Sequence, residues 1–188
     1  MVPNRFTVIL DANVLFSALQ RNVALTLAES GFFRPRWSST VLDELERNLA
    51  GRIGEEKAAK QRARIERAFP EGLVGLDGPK EIAPQLPDPD DRHVLAAAIG
   101  AKAAQIVTWN LKHFPPAALE PFEIEAVTPD ELFSNTIELS ETTAVAALSR
   151  MRKRLANPAF DADALILRME QQGLSQTASI LADFRELL

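Results

Sequence analysis

Three carboxylates and one carboxamide stand beside apolar runs in this chain: Asp11 after Val8-Ile9-Leu10, Glu44 within the stripe Val41, Leu42 and Leu45, Asp91 just before Val94 and Leu95, and Asn110 after Ile106-Val107-Thr108. Asp11 and Asn110 each follow a strand-sized segment, and open parallel sheets collect ligands outside the carboxyl ends of their strands. Carboxylates gathered in one pocket repel and raise one another's proton affinity. A hard divalent cation removes that penalty, and an all-oxygen donor set suits Mg2+ or Mn2+. A cation so held activates water and stabilises the charge that develops on a phosphodiester. Metal-dependent phosphodiester hydrolysis is therefore the chemistry these residues predict.

Each residue alone also fits a plainer role. Asp11 can cap a helix, Asp91 suits a helix first turn through the macrodipole, and Glu44 can sit on a solvated helix face. Asn13 either orients Asp11 or touches a phosphate, or else caps the helix that follows. Thr108 either hydrogen-bonds Asp11 or is an ordinary strand threonine. An aspartyl phosphatase would also begin with an aspartate after an apolar strand, but its chemistry wants Asp-x-Asp, and here the third position is Asn13.

The elements that must position these groups are legible in outline. Phe6–Leu10 reads as a buried strand, and residues 12–29 as helix, in two pieces around Gln20–Asn22, closed by Gly31. Arg34–Trp37 is a second strand. Ser38 to Thr40 supply an N-cap for a helix that carries Val41, Leu42, Leu45 and Leu49 on one face up to Gly51. A charged helix spans 55–68, Leu73–Leu76 is a third strand, and a helix starts near Asp90. Gln105–Thr108 and Ile124–Val127 complete five strands. Strands alternating with helices indicate a three-layer α/β/α sandwich around a mainly parallel sheet, over residues 1–128. Residues 129–188 read as a helical C-terminal extension, with helices at 129–138, 141–155, 161–172 and 175–187. The apolar faces of the last two predict a small bundle packed on the helix at 141–155.

Composition narrows the classes. A length of 188 residues with 46% hydrophobic and 25% charged content suits one compact domain plus a modest appendage. The absence of cysteine excludes a disulfide scaffold, a thiolate zinc site and thiol nucleophiles, and it suits a reducing cytoplasm. The apolar run at Phe6–Leu10 is too short for a signal peptide, and no segment has the length of a membrane span, so a cytoplasmic protein without membrane contact is expected. The formal net charge of −5 opposes any general attraction to nucleic acid. Local basic patches or bound cations would have to supply it.

Taken in order, the four blocks resemble the PIN-domain ribonucleases. Val8-Ile9-Leu10-Asp11-Ala12-Asn13 looks like their opening strand and first acid, and Thr40-Val41-Leu42-Asp43-Glu44-Leu45 like the helix bearing the second. The run from Leu86 through Asp91 to Ala98 resembles the third block, which selects Asp91 over its neighbours Asp88 and Asp90. Ile106-Val107-Thr108-Trp109-Asn110 resembles the fourth, with Asn110 where aspartate is usual, a change that reduces the charge of the site. The resemblance implies RNA as substrate, Asp11, Glu44, Asp91 and Asn110 as the catalytic set, and Mg2+ or Mn2+ held by Asp11 and Asp91, with Glu44 and Asn110 acting through water. The length and helical tail are similar to the longer VapC-type toxins, which implies a cognate antitoxin as partner and a homodimer. A PIN-like module that binds RNA or protein without cutting is the alternative. For contact with RNA, His113 and the cluster Arg150, Arg152, Lys153 and Arg154, which has no acid beside it in sequence, are the candidates. The basic residues of 55–68 are interleaved with Glu55, Glu56 and Glu66 and read as a solvated face.

Overall fold

A computed structural model describes residues 6–75, 86–155 and 159–188. Its sheet has four strands, β1 (Thr7–Leu10), β2 (Arg34–Arg36), β3 (Gln105–Val107) and β4 (Glu125–Val127), in the order β2-β1-β3-β4. Every pairing is parallel, with Ile9 opposite Arg36 on one side and Ile106 on the other. Val8, Ile9, Leu10, Ile106 and Val107 are fully buried. Such continuous burial is what a parallel sheet covered on both faces requires. The chain leaves β1 for β2 on one side and returns to β3 on the other, so the order reverses between the carboxyl ends of β1 and β3. That is the crevice where ligands bind in this architecture.

Helices α1 (Ala12–Phe16), α2 (Ala18–Glu29), α3 (Ser39–Ile53) and α4 (Glu55–Ala68) precede the third strand, and α5 (Arg92–Gly100) packs on β1 and β3. The short α6 (Pro116–Leu119) precedes β4. Four helices follow: α7 (Pro129–Leu139), α8 (Glu141–Arg154), α9 (Ala162–Gln171) and α10 (Ser175–Asp183). The result is an α/β sandwich with C-terminal helices. Helix α10 packs on α7 and α9, while α7 and α8 pack on α2. Leu165, Met169, Leu174, Ala178 and Leu181 belong to the same hydrophobic cluster as the strands. Asp130, buried in α7, accepts from the backbone N–H of Gln176 and Thr177, both at 2.9 Å, and so caps α10 from a neighbouring helix.

The structure departs from the sequence expectations in detail. The first helical stretch breaks at Ser17, not around Gln20–Asn22. Ser17 is extended (ψ 121°), its Oγ accepts from Gln20 N, and its hydroxyl donates to Gln172 Oε1 at 2.6 Å. Helix α3 runs through Gly51 and stops at Gly54, whose φ of 87° only glycine adopts freely. The third expected strand is reduced to a bridge between Trp37 and Leu73, and Leu76 lies outside the described residues. A 3-10 turn at Pro89–Asp91 precedes α5, since Asp88 accepts from Asp90 N and tightens the entry. The last helix ends at Asp183 because the chain must turn to bring Leu188 back. Its carbonyl accepts from Ser149 Oγ at 2.6 Å and Arg152 Nε at 3.0 Å.

The bridge at Trp37 is a tight point. Trp37 is fully buried, and a Cβ on Gly72 would lie 2.4 Å from its ring carbon Cζ2. Trp37 N also donates to Gly72 O, so neither the ring nor the backbone can retreat freely. Gly72→Ala is expected to destabilise the fold by about 1–3 kcal/mol, a fall in Tm of roughly 3–10 °C. Thermal unfolding of the variant measures it, and an unchanged Tm would show that the Trp37 pocket is slack.

Candidate active site

Asp11 follows β1 directly and is 6% exposed. Its backbone is tied to β3 through Asp11 N donating to Val107 O at 3.1 Å. One carboxylate oxygen accepts from Ala12 N at 2.6 Å; the other accepts from Asn13 Nδ2 at 2.6 Å and Thr108 Oγ1 at 2.7 Å. Thr108 Oγ1 in turn accepts from Asn13 Nδ2 at 2.9 Å and from Asn110 N at 3.0 Å. Both readings of Asn13 and Thr108 thus resolve toward orienting Asp11. The position of the Asn110 loop is set by the same hydroxyl.

Glu44 projects from α3, whose N-cap is Ser38. Ser38 Oγ accepts from Val41 N and lies 3.1 Å from His93 Nδ1, and His93 Nε2 lies 3.1 Å from Glu44 Oε1. An ionised Glu44 only accepts, so His93 Nε2 carries the hydrogen and steers that carboxylate. Asp91 is held by the second histidine: His113 Nδ1 is 2.6 Å from Asp91 Oδ2 and 3.8 Å from Asp88 Oδ2. Asp88 is therefore more than a loop neighbour, because it joins Asp91 around His113. The sequence offered a faint signal for both histidines: His93 sits two residues after Asp91, and His113 three after Asn110.

Asp11, Glu44, Asp91 and Asn110 line one cleft of about 420 Å³, with Asn13, Phe16 and Asn48, and no lysine or arginine among the lining residues. Burial raises the proton affinity of Asp11 above its ordinary value, with Asp91 adding to it; the hydrogen bonds from Thr108 and Ala12 oppose it. Burial does the same to Glu44, with Asp11 reinforcing the rise and His93 opposing it. The acids thus sense each other across the cleft. Among the described residues only Asp88, Asp91 and His113 offer ligand atoms within 4.8 Å of one another. Asp11, Glu44 and Asp91 stand farther apart, so an ion among them would keep part of its water shell.

The basic cluster on α8 lies elsewhere. Arg152 donates to Leu188 O and Phe160 O, so its guanidinium helps to hold the last residue of the chain. Arg150 and Arg154 line a separate cleft that also contains Glu29, an acid the linear sequence did not place beside them. Lys153 is exposed. On α4, Arg62 is surrounded by Asp43, Glu46 and Glu66, as expected of a solvated, ion-paired face. Trp109 Nε1 donates to Gln20 Oε1 at 2.9 Å, and its half-buried ring packs on Gly173.

Comparison with known proteins agrees with this geometry. The PIN domain family matches residues 7–112, which contain Asp11, Glu44, Asp91 and Asn110, and the chain belongs to that family. The family described as VapC50 C-terminal domain matches residues 129–183. The chain is 40% identical over 82 residues to a Mycobacterium tuberculosis protein named "Putative ribonuclease VapC50". The aligned part is 44% of this chain and 48% of that protein, so the match spans about half the length of the relative. No solved structure matches the chain.

The raised proton affinity of Glu44 has a sign that can be measured. The folded state holds that proton more tightly than the unfolded state does. Its contribution to stability is fully present below the ordinary value of 4.5 and is lost as pH rises through the raised one. Without divalent metal, Glu44→Gln should match the parent in Tm at about pH 4 and exceed it at about pH 8. A Gln variant less stable than the parent at the higher pH would mean that the His93 contact outweighs the desolvation.

Proposed function

We propose that this chain is a metal-dependent endoribonuclease, the toxin of a toxin–antitoxin pair. The observation that carries this reading is the convergence of Asp11, Glu44 and Asp91 on one cleft, at the reversal of strand order between β1 and β3. RNA as the substrate rests on family membership and on the name of the partial relative. The donor set fits a divalent cation: burial raises the proton affinity of Asp11 and Glu44, and no lysine or arginine lines their cleft. Asp11 and Asp91 would hold Mg2+ or Mn2+ directly, and Glu44 and Asn110 through water. When bound, that ion supplies activation of water and neutralisation of charge on the scissile phosphate.

The chain's own residues do the rest. Asn13 and Thr108 keep Asp11 aimed, and together with Ala12 N they satisfy both its oxygens, so its orientation costs nothing at the moment of reaction. His93 and His113 restrain Glu44 and Asp91 in the same way. Asn110 is exposed and neutral, and at the mouth of the cleft it suits contact with a phosphate better than ionic ligation. Nothing in the cleft favours the non-cutting alternative, since all three acids are intact. Among the described residues no helix is long and apolar enough to cross a membrane. A cytoplasmic toxin, silenced by a cognate antitoxin and working as a homodimer, completes the reading. Sedimentation of the purified chain at micromolar concentration should give about twice the 20.7 kDa protomer mass, and a purely monomeric species would remove the dimer.

Purified protein should cleave single-stranded RNA with Mg2+ or Mn2+ and stop on chelation. Asp91→Asn should lower the rate about 100-fold or more with Tm preserved. Asp11→Asn should lose both activity and stability, because its amide would face the Asn13 Nδ2 donor. His93→Ala should weaken Mn2+ binding by roughly 10–100-fold. Cleavage by Asp91→Asn at the parental rate would refute the assignment of this acid.

A further inference from the structure

Beside the carboxylate cleft lies a larger one, of about 750 Å³, with the opposite electrostatic character. Its lining includes Arg21 from α2, Arg52 from the end of α3 and Arg168 from α9, and no acidic side chain among the described residues. In a chain of net charge −5 that is a strong local excess of one sign. None of the three forms an ion pair among the described residues. Arg21 donates to the carbonyls of Leu15 and Phe16, Arg168 to Gln171 Oε1, and Arg52 stands over the Phe16 ring at 5.7 Å. Arg21 is 6% exposed, and its Nε has no hydrogen-bond partner. A buried guanidinium without a counter-charge is costly, and an anion arriving in the cleft reduces that cost.

The two clefts meet at Phe16, whose side chain lines both. Trp109, the residue before Asn110 of the carboxylate cleft, donates to Gln20 of the second cleft, and Gln20 donates to Gln172 O. An extended polyanion can therefore have one phosphate at the carboxylates and the next units on the arginines. The part-exposed Gln172 amide and Phe16 ring give that second cleft groups able to face a base as well as a phosphate, while the buried Gln20 amide is already engaged at both ends.

We propose that the Arg21–Arg52–Arg168 cleft is the substrate-binding subsite for single-stranded RNA flanking the scissile phosphate. It rests on the ribonuclease reading and adds where the strand is gripped. The cleft supplies the attraction to nucleic acid that the overall charge denies, and the carboxylates are left free to hold their cation. An acidic protein segment would be drawn to the same arginines. Continuity with the hydrolytic cleft favours RNA.

The experiment compares the full-length parent with R52Q/R168Q, both side chains being exposed, and with R52K/R168K. Binding of a fluorescein-labelled single-stranded RNA is followed by anisotropy in chelator across a salt series, and cleavage is followed separately with Mn2+. R52Q/R168Q should raise Kd about tenfold and flatten the plot of log affinity against log salt by about 1.4, the loss of two phosphate contacts. It should raise KM with kcat nearly unchanged. The lysine pair should restore most of the salt slope. An unchanged Kd and slope in R52Q/R168Q, with cleavage intact in the parent, overturns the subsite and leaves the ribonuclease reading standing. The same unchanged RNA binding with lost capture of a Glu-rich peptide would assign the cleft to a protein partner and also overturns it. A parent that neither binds nor cuts RNA overturns both.

Discussion

A carboxylate held almost out of water at the end of the central strand sets the terms for the whole domain. Asp11 is tolerable there only because backbone and side-chain donors meet both its oxygens. Those donors come from residues 12, 13 and 108, so the site exists only when β1 and β3 pair in register and Thr108 arrives beside Asp11. The bond from Asp11 N to Val107 O carries the ladder one step past the strand and makes pairing and site geometry a single event. A slip of one residue would turn Thr108 away and leave Asp11 with an unpaid desolvation.

The other acids are held by a different device. Glu44 and Asp91 sit on helices, half-exposed, and each is restrained by a histidine from a different part of the chain. The route from Ser38 through His93 to Glu44 ties the N-cap of α3 to the first turn of α5. The same hydroxyl that ends the extended chain at Ser38 therefore begins the alignment of the second acid. Around this frame the C-terminal helices share the core of the sandwich, and the chain end is pinned to α8 through Ser149 and Arg152. Helix α9 in turn carries Arg168 and leads to Gln172, both on the wall of the arginine cleft, so the helical tail helps to build a cleft that shares Phe16 with the carboxylates.

Charge is sorted rather than balanced. The acids of the carboxylate cleft have no lysine or arginine in their lining, while the adjoining cleft has three arginines and no described acid. Elsewhere opposite charges are interleaved, as around Arg62 and in the Glu29 cleft. Net charge is a poor guide to such a surface, because a bound strand responds to the field within about one Debye length and not to the sum over the molecule.

The order of strands and helices, the parallel sheet and the four polar positions were legible in the sequence, because apolar period and strand-end placement are local properties. The sequence could not place the break at Ser17, which depends on a hydroxyl bond to Gln172 far along the chain, or show that the bridge at Leu73 is too short to be a strand. It pointed to Arg150–Arg154 as the basic patch since those residues are adjacent in the chain, whereas Arg152 is engaged with the C-terminus and Arg150 and Arg154 share a cleft with Glu29. Arg21, Arg52 and Arg168 are 31 and 116 positions apart by their numbering in the sequence, and no local pattern joins them. Only the tertiary fold gathers the three charges around one cleft, because electrostatic proximity is a property of distance in space and not of order along the chain.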